Sequence, residues 1–257
     1  MNALSTLPHA LDRSVIIRAQ QETVFRYFTD SARWAAWWGA GSTIDARPGG
    51  KVYIRHPNAV EAGGEVLEVD PPRRIVFTFG FASGQPIPLG ASRVTIELAQ
   101  DPAGTRLDLR HEFSDEAARN EHVQGWCYQL SVFGNVVADQ VNAGAAARVD
   151  DWFAAWSESD ATKRRVLLAK AVAPGISFRD RFSLVEGMED LEPHLAAVHR
   201  FMPGMRLQRS GEVRHCQGTV LADWIASGPD GDERGRGTNV FTLDPDGRIA
   251  GVVGLWS

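Results

Sequence analysis

Between Ser92 and Phe113 the chain alternates apolar and polar residues through two runs, "SRVTIEL" and "TRLDLRHEF", parted by Asp101-Pro102-Ala103-Gly104. Val94, Ile96 and Leu98 point one way, and Arg93, Thr95 and Glu97 the other. Leu107, Leu109, His111 and Phe113 likewise oppose Arg106, Asp108, Arg110 and Glu112. A period of two reads as extended strand, dry on one face and wet on the other. Such strands build an antiparallel sheet covered on a single side. "KVYIRH", "GEVLEVD" and "RIVFTFGF" add three strands upstream, with turn signals at Pro57-Asn58, Pro71-Pro72 and Pro86/Pro88. "SVIIRA" precedes them, followed by "QQETVFRYFTDSARWAAWW", where Val24, Phe25, Phe28 and Trp34 recur at helical spacing. The cover for the dry face is "SDEAARNEHVQGWCYQLSVFGNVVADQV", which starts near Ser114 and carries the apolar stripe Trp126, Leu130, Phe133 and Val137.

After "NAGAAA" (residues 142–147) the order reverses, with helices first and strands last. "RVDDWFAAWSESD", "KRRVLLAKAV" and "GMEDLEPHLAAVHRFM" read as helices. "MRLQRSGEVRH", "GTVLADWIAS", "TNVFTLD" and "RIAGVVGLW" read as strands, and "GPDGDERGRG" as a solvated hairpin loop. One oversized sheet fits this reversal poorly. The pattern predicts two α+β domains, residues 1–143 and 144–257. Gly144 is the strong breaker at the joint, so the flanking helices are expected nearly to abut.

The 257 residues are 44% hydrophobic and 23% charged, with a net charge of -5, a balance that argues against a phosphate-binding surface and hence against nucleic acid as a partner. Cys127 and Cys216 are too few for a disulfide framework. "MNALSTLPHALDRSV" has no charged and then apolar leader, and no stretch has the length and apolarity of a membrane span, so a cytoplasmic protein without membrane insertion is expected. No His/Cys/carboxylate grouping shows metal-ligand spacing, so neither metal nor cofactor is expected.

Three indoles in five positions, Trp34, Trp37 and Trp38, raise the question of what they cover. An indole buries a large area and keeps one N–H for a polar partner. Together with Trp126, and with Phe77 and Phe79 of "RIVFTFGF", they are candidate ligand-binding residues; Trp38 and Trp126 serve equally well as plugs. His111, on the dry face, either orients a ligand, acts as a base, or is a hydrogen-bonded core residue. His56 and His122 are assigned to a loop and to a polar helix face.

The elements "TVFRYFTDSARWAAWWG", "DARPGGKVYIRH", "GGEVLEVDPPRRIVFTF", "SRVTIEL", "GTRLDLRHEF" and "GWCYQL" occur in that order across residues 14–140. This half resembles the bacterial branch of the activator-of-Hsp90-ATPase-homologue family, within the START-like (SRPBCC) superfamily. The resemblance implies a helix-grip fold, a curved antiparallel sheet gripping a long C-terminal helix over an apolar cavity. It also implies a co-chaperone reading that rests on the family name alone.

"VDDWFAAWSESD", "ISFRDRFSLVEGMEDLEPHL" and "TNVFTLDPDGRIAGVVGLW" resemble the NTF2-like superfamily, which includes SnoaL-like cyclases and ketosteroid isomerase. That resemblance implies a cone-shaped α+β domain. It matches Asp180 to the proton-shuttling aspartate of the isomerase, Trp152 to its oxyanion tyrosine and Asn239 to its protonated aspartate. Trp and Asn still donate an N–H, but neither supplies the strong hydrogen bond of a tuned acid. Asp180 is otherwise a partner of Arg179 or Arg181, or a turn residue. His199 and Asp223 are further pocket candidates, Asp223 because it alternates with Leu221 and Ile225. Two functions follow from these readings. One is binding of a small hydrophobic molecule in tandem apolar pockets. The other is metal-independent cyclase- or isomerase-type acid–base chemistry in the second pocket. If Asp180 faces solvent and pairs with an arginine, the second domain is instead a binding or dimerising module; the partners expected are a small hydrophobic molecule and a second copy of the chain in a homodimer.

Overall fold

The computed structural model describes residues 7–257; the leader reading of residues 1–6 lies outside the described residues. Two compact units divide between Val137 and Ala138.

The first unit begins with β1 (His9–Ile17), then α1 (Gln21–Phe25), a 3-10 turn (Arg26–Phe28) and α2 (Ser31–Trp38). It continues through β2 (Thr43–Ile44), β3 (Lys51–Arg55), β4 (Glu61–Asp70), β5 (Arg74–Phe81), β6 (Ser92–Asp101) and β7 (Gly104–Phe113) to α3 (Glu116–Val141). The strands form one antiparallel sheet in the order β1-β7-β6-β5-β4-β3-β2. Register places Val94 beside His111 and Ile96 beside Leu109, so the two alternating runs present their dry residues on one face. That face is buried, and α3 buries Trp126, Leu130, Phe133 and Val137. Rings from α3 meet this face and α2: Trp126 lies 5.9 Å from His111 between centroids, and Phe133 lies 5.0 Å from Trp37 of α2. Each fully buried apolar side chain contributes about 1.5–3 kcal/mol, so a one-residue slip that turned them outward would dissolve the unit.

Local chemistry sets the ends. Asp30 caps α2 by accepting from the Arg33 amide at 2.9 Å. Asp115, rather than Ser114, caps α3, accepting from the Ala118 amide at 2.8 Å. At Pro48-Gly49-Gly50 a Cβ on Gly50 would lie 1.9 Å from the Asp45 carbonyl oxygen, so only glycine permits the turn into β3.

The second unit follows the last four residues of α3 with α4 (Ala145–Ser157), α5 (Ala161–Ala171), β8 (Val172–Arg179), β9 (Leu184–Glu186) and α6 (Gly187–Phe201). It closes with β10 (Arg206–Cys216), β11 (Thr219–Ser227), β12 (Glu233–Leu243) and β13 (Ile249–Trp256). Three residues, 142–144, separate α3 from α4. The sheet order is β10-β11-β12-β13-β8-β9, with β13 and β8 parallel and the other neighbours antiparallel. Its core packs Val149, Trp152 and Phe153 of α4 with Leu191 and Leu195 of α6 and Phe241 of β12.

The two halves are thus α+β folds of different layout, an antiparallel sheet covered by a long helix in the first and a mixed sheet packed against helices in the second. Three strands depart from the sequence reading: β2, β8 and β9 were not predicted. Half of "GPDGDERGRG" is also strand, because β12 starts at Glu233 and pairs Gly235 with Ala226. Among the described residues, no helix is long and apolar enough to cross a membrane.

Candidate functional site

In the first unit the tryptophans of α2 do different jobs. Trp34 is fully buried, donates Nε1–H to the Tyr53 carbonyl at 3.2 Å, and packs 5.8 Å from Phe77. Trp37 donates to the Tyr27 carbonyl at 3.4 Å and packs 5.8 Å from Phe28. Both indoles have their single polar group satisfied by backbone, and with buried Phe77 they form core rather than pocket wall. Trp38 differs: its Nε1–H is buried and has no partner. Its ring lies 5.7 Å from both Trp126 and His56. These three, with Phe79, Phe81 and His122, line a cavity of about 260 Å³.

His56, in the loop after β3 as expected, and His122, which packs on Phe79 and Phe113 rather than facing a polar side, both border this cavity. Burial holds both below the ordinary histidine value, keeping them neutral. His111 is absent from the cavity wall. Trp126 Nε1, which can only donate, lies 2.9 Å from His111 Nδ1. His111 therefore carries its proton on Nε2 and donates to Ser92 Oγ at 2.8 Å, and Ser92 donates onward to the Phe79 carbonyl. Burial, then neighbouring His122, holds His111 well below the ordinary histidine value. With both ring nitrogens engaged, it has no lone pair left for a substrate proton. His111 is a core brace.

The second unit contains a cavity of about 350 Å³. α4 places Trp152 and Trp156 on it, one turn apart; β8 contributes Phe178, and β11 contributes Trp224. The indole N–H groups of all three tryptophans are buried without partners. Asp180, one residue past β8, lines the same cavity with Asn239 and His194. Its Oδ1 accepts from the Phe182 amide at 2.8 Å, and its Oδ2 from Trp256 Nε1 at 3.1 Å. Two neutral N–H donors hold the carboxylate, rather than Arg179 or Arg181. Gly254 explains how Asp180 and Asn239 share one end of the cavity. A Cβ there would lie 3.1 Å from Asp180 Cβ and 3.3 Å from Asn239 Oδ1. Gly254→Ala is therefore expected to displace one of them and weaken binding of a cavity ligand by about tenfold, 1.4 kcal/mol. Titration calorimetry against the parent chain checks this; equal affinities would show that the two polar groups move freely.

Two sequence candidates lie elsewhere. Asp223 is on the other face of β11, half-exposed, hydrogen-bonded by Thr238 and 3.9 Å from Arg214. The inward set of that strand is Val220, Ala222, Trp224 and Ala226. His199 is outside the lining as well; on α6 the cavity side carries His194 and Val198, four apart, and His199 is rotated by about 100° from Val198. Sequence reasoning missed Trp156, Phe178, Trp224 and Trp256. Trp156 had a signal, since it follows Trp152 at i+4 on one helical face. Among the described residues, no three His, Cys, Asp or Glu side chains group to hold a metal ion.

Residues 18–138 match the family described as activator of Hsp90 ATPase homolog 1-like protein. The first unit resembles that family. Its matched span begins just after β1 and runs through almost all of α3, so it takes in β2 to β7, the indole cluster and the cavity wall of this AHSA1-like half. Similar solved structures include a SnoaL-like family protein from Agrobacterium tumefaciens, 28% identical over 46% of this chain and 98% of that one, with a TM-score of 0.42. CalU16 from Micromonospora echinospora is 26% identical over 49% of this chain and 70% of that one, at 0.39. The Aha1 dimer from Colwellia psychrerythraea is 13% identical over 50% and 96%, at 0.44. No curated protein matches this chain.

Proposed function

We propose that this protein binds small hydrophobic molecules in two apolar pockets, one in each unit. The observation that carries the reading is the second-unit cavity. Its walls are aromatic, its size of about 350 Å³ falls in the range of small-molecule sites, and its few polar groups converge at one end. The first-unit cavity, smaller at about 260 Å³, is likewise walled largely by aromatic rings. The test is mass spectrometry of small molecules retained by the purified full chain, followed by titration of each. A retained apolar compound whose binding is lost in Trp156→Ala supports the reading. Failure of every apolar compound to bind would overturn it.

One observation favours a second reading, acid–base catalysis in that pocket. Asp180 is a carboxylate on an otherwise apolar wall beside Asn239, and a pure binder has no need for such a charge. In this reading Asp180 moves a proton, while the N–H groups of Trp152 and Asn239 donate to developing negative charge. Asp180→Asn is expected to keep the fold, keep binding within about threefold, and reduce turnover at least a hundredfold, the scale of general acid–base catalysis. Turnover unchanged in that variant, or no turnover of any retained molecule by the parent chain, would leave binding as the function.

A further inference from the structure

Resting on the reading that the first-unit pocket takes a ligand, we infer that its ligand class is an uncharged aromatic molecule bearing a hydroxyl group. The wall of this pocket carries unused hydrogen-bonding capacity. His122 Nδ1 lies 2.7 Å from the Ala118 carbonyl oxygen, which can only accept, so Nδ1 carries the proton of the neutral ring. His122 Nε2 is left as a bare lone pair, buried and without a partner. Trp38 Nε1–H has the opposite deficit, a buried donor without an acceptor. His56 Nε2 is buried and unpartnered on the same wall. Of the other polar groups on the wall, Trp126 is engaged with His111, Gln129 donates to the Trp37 carbonyl, Asn58 accepts from the Val60 amide, and Tyr128 is exposed.

A bare hydrocarbon filling this space leaves each of those atoms unpaired, at a cost of about 1–3 kcal/mol apiece. A carboxylate sets its own lone pairs against that of His122, and no Lys or Arg lines the cavity to neutralise it. A hydroxyl is the smallest neutral group that both donates, as His122 requires, and accepts, as Trp38 requires. Elsewhere on the wall, Phe79, Phe81 and Trp126 offer aromatic faces and edges to a planar ring.

The experiment titrates the full chain with naphthol, naphthalene and naphthoate at pH 7.5. A blocked variant, Gly125→Phe, isolates the first-unit component. Gly125 borders the cavity, and a Cβ there meets no atom within 4 Å, so the new ring has room to enter the mouth. In the component that Gly125→Phe removes, naphthol is expected to bind about tenfold tighter than naphthalene, the worth of one buried hydrogen bond, and naphthoate weakest. His122→Phe is expected to bring the ratio of naphthol to naphthalene affinity down to about one, and His122→Gln, which still accepts, to restore part of that ratio. Circular dichroism of each variant establishes that it is folded. Equal affinity for naphthol and naphthalene, an advantage that survives His122→Phe, or preference for naphthoate would overturn the hydroxyl assignment while leaving the pocket. Absence of any component sensitive to Gly125→Phe would instead overturn the pocket itself.

Discussion

Trp34→Ala is expected to destabilise the first unit by about 3–5 kcal/mol, the range for truncating a large buried aromatic. The indole is fully buried, and its ring meets Trp37, Trp38 and Phe77 at 5.2, 5.6 and 5.8 Å between centroids. Truncation opens a cavity among rigid rings that cannot collapse into it, and it leaves the Tyr53 carbonyl without the indole donor. Since most single domains have only about 5–15 kcal/mol in total, this one change consumes much of the margin. Trp38→Ala removes a pocket wall whose N–H has no partner, so it is expected to cost less stability and more affinity. Urea denaturation followed by far-ultraviolet dichroism measures the first quantity, and naphthol titration the second. A loss below about 1 kcal/mol for Trp34→Ala would mean that the indole cluster is not the keystone of this core.

Acid is expected to weaken the first unit well above the range where carboxylates titrate. His111, His122 and His56 are all held below the ordinary histidine value of 6.5, His111 furthest because it is the most buried. Between that value and the depressed folded values, the unfolded chain binds protons that the folded chain refuses. The neutral rings' contribution is therefore fully present above pH 6.5 and is lost as pH falls toward the folded values. For His111 alone the slope reaches about 1.4 kcal/mol per pH unit. Protonating it also turns Nδ1 into a donor facing the Trp126 N–H, breaking the chain at its first link. Urea midpoints of the unit at pH 7.5, 6.5 and 5.5 should decline, and His111→Gln should flatten the decline. A profile level across that window would show that the histidines are not held neutral.

Where a signal is local, the residues alone carried it. β6 and β7 were legible because a period of two needs no partner to be seen, and α3 because its stripe recurs at three and four residues. The reversal of element order after residues 142–147 told of two different α+β layouts for the same reason. β8 and β9 were not legible. β8 sits between β13 and β9, in a stretch whose strand character depends on pairing with residues far along the chain. Phase escaped as well. β11 carries Leu221 and Ile225 on its outer face, so its apolar pattern did not reveal that Trp224 faces in and Asp223 out.

The tryptophans mark the boundary most sharply. Sequence determined that an indole cluster would exist and that an apolar sheet face needed covering. It could not separate Trp34 and Trp37 from Trp38, because that difference is whether each N–H meets a carbonyl. Those carbonyls belong to Tyr53 and Tyr27, brought there by the fold. His111 became a brace rather than a base only when Trp126 and Ser92, distant in sequence, took both of its nitrogens. Hydrophobic pattern is a property of neighbours along the chain, whereas polar satisfaction is a property of neighbours in space. The first determined the two folds; the second, decided by tertiary structure, separates pocket from core.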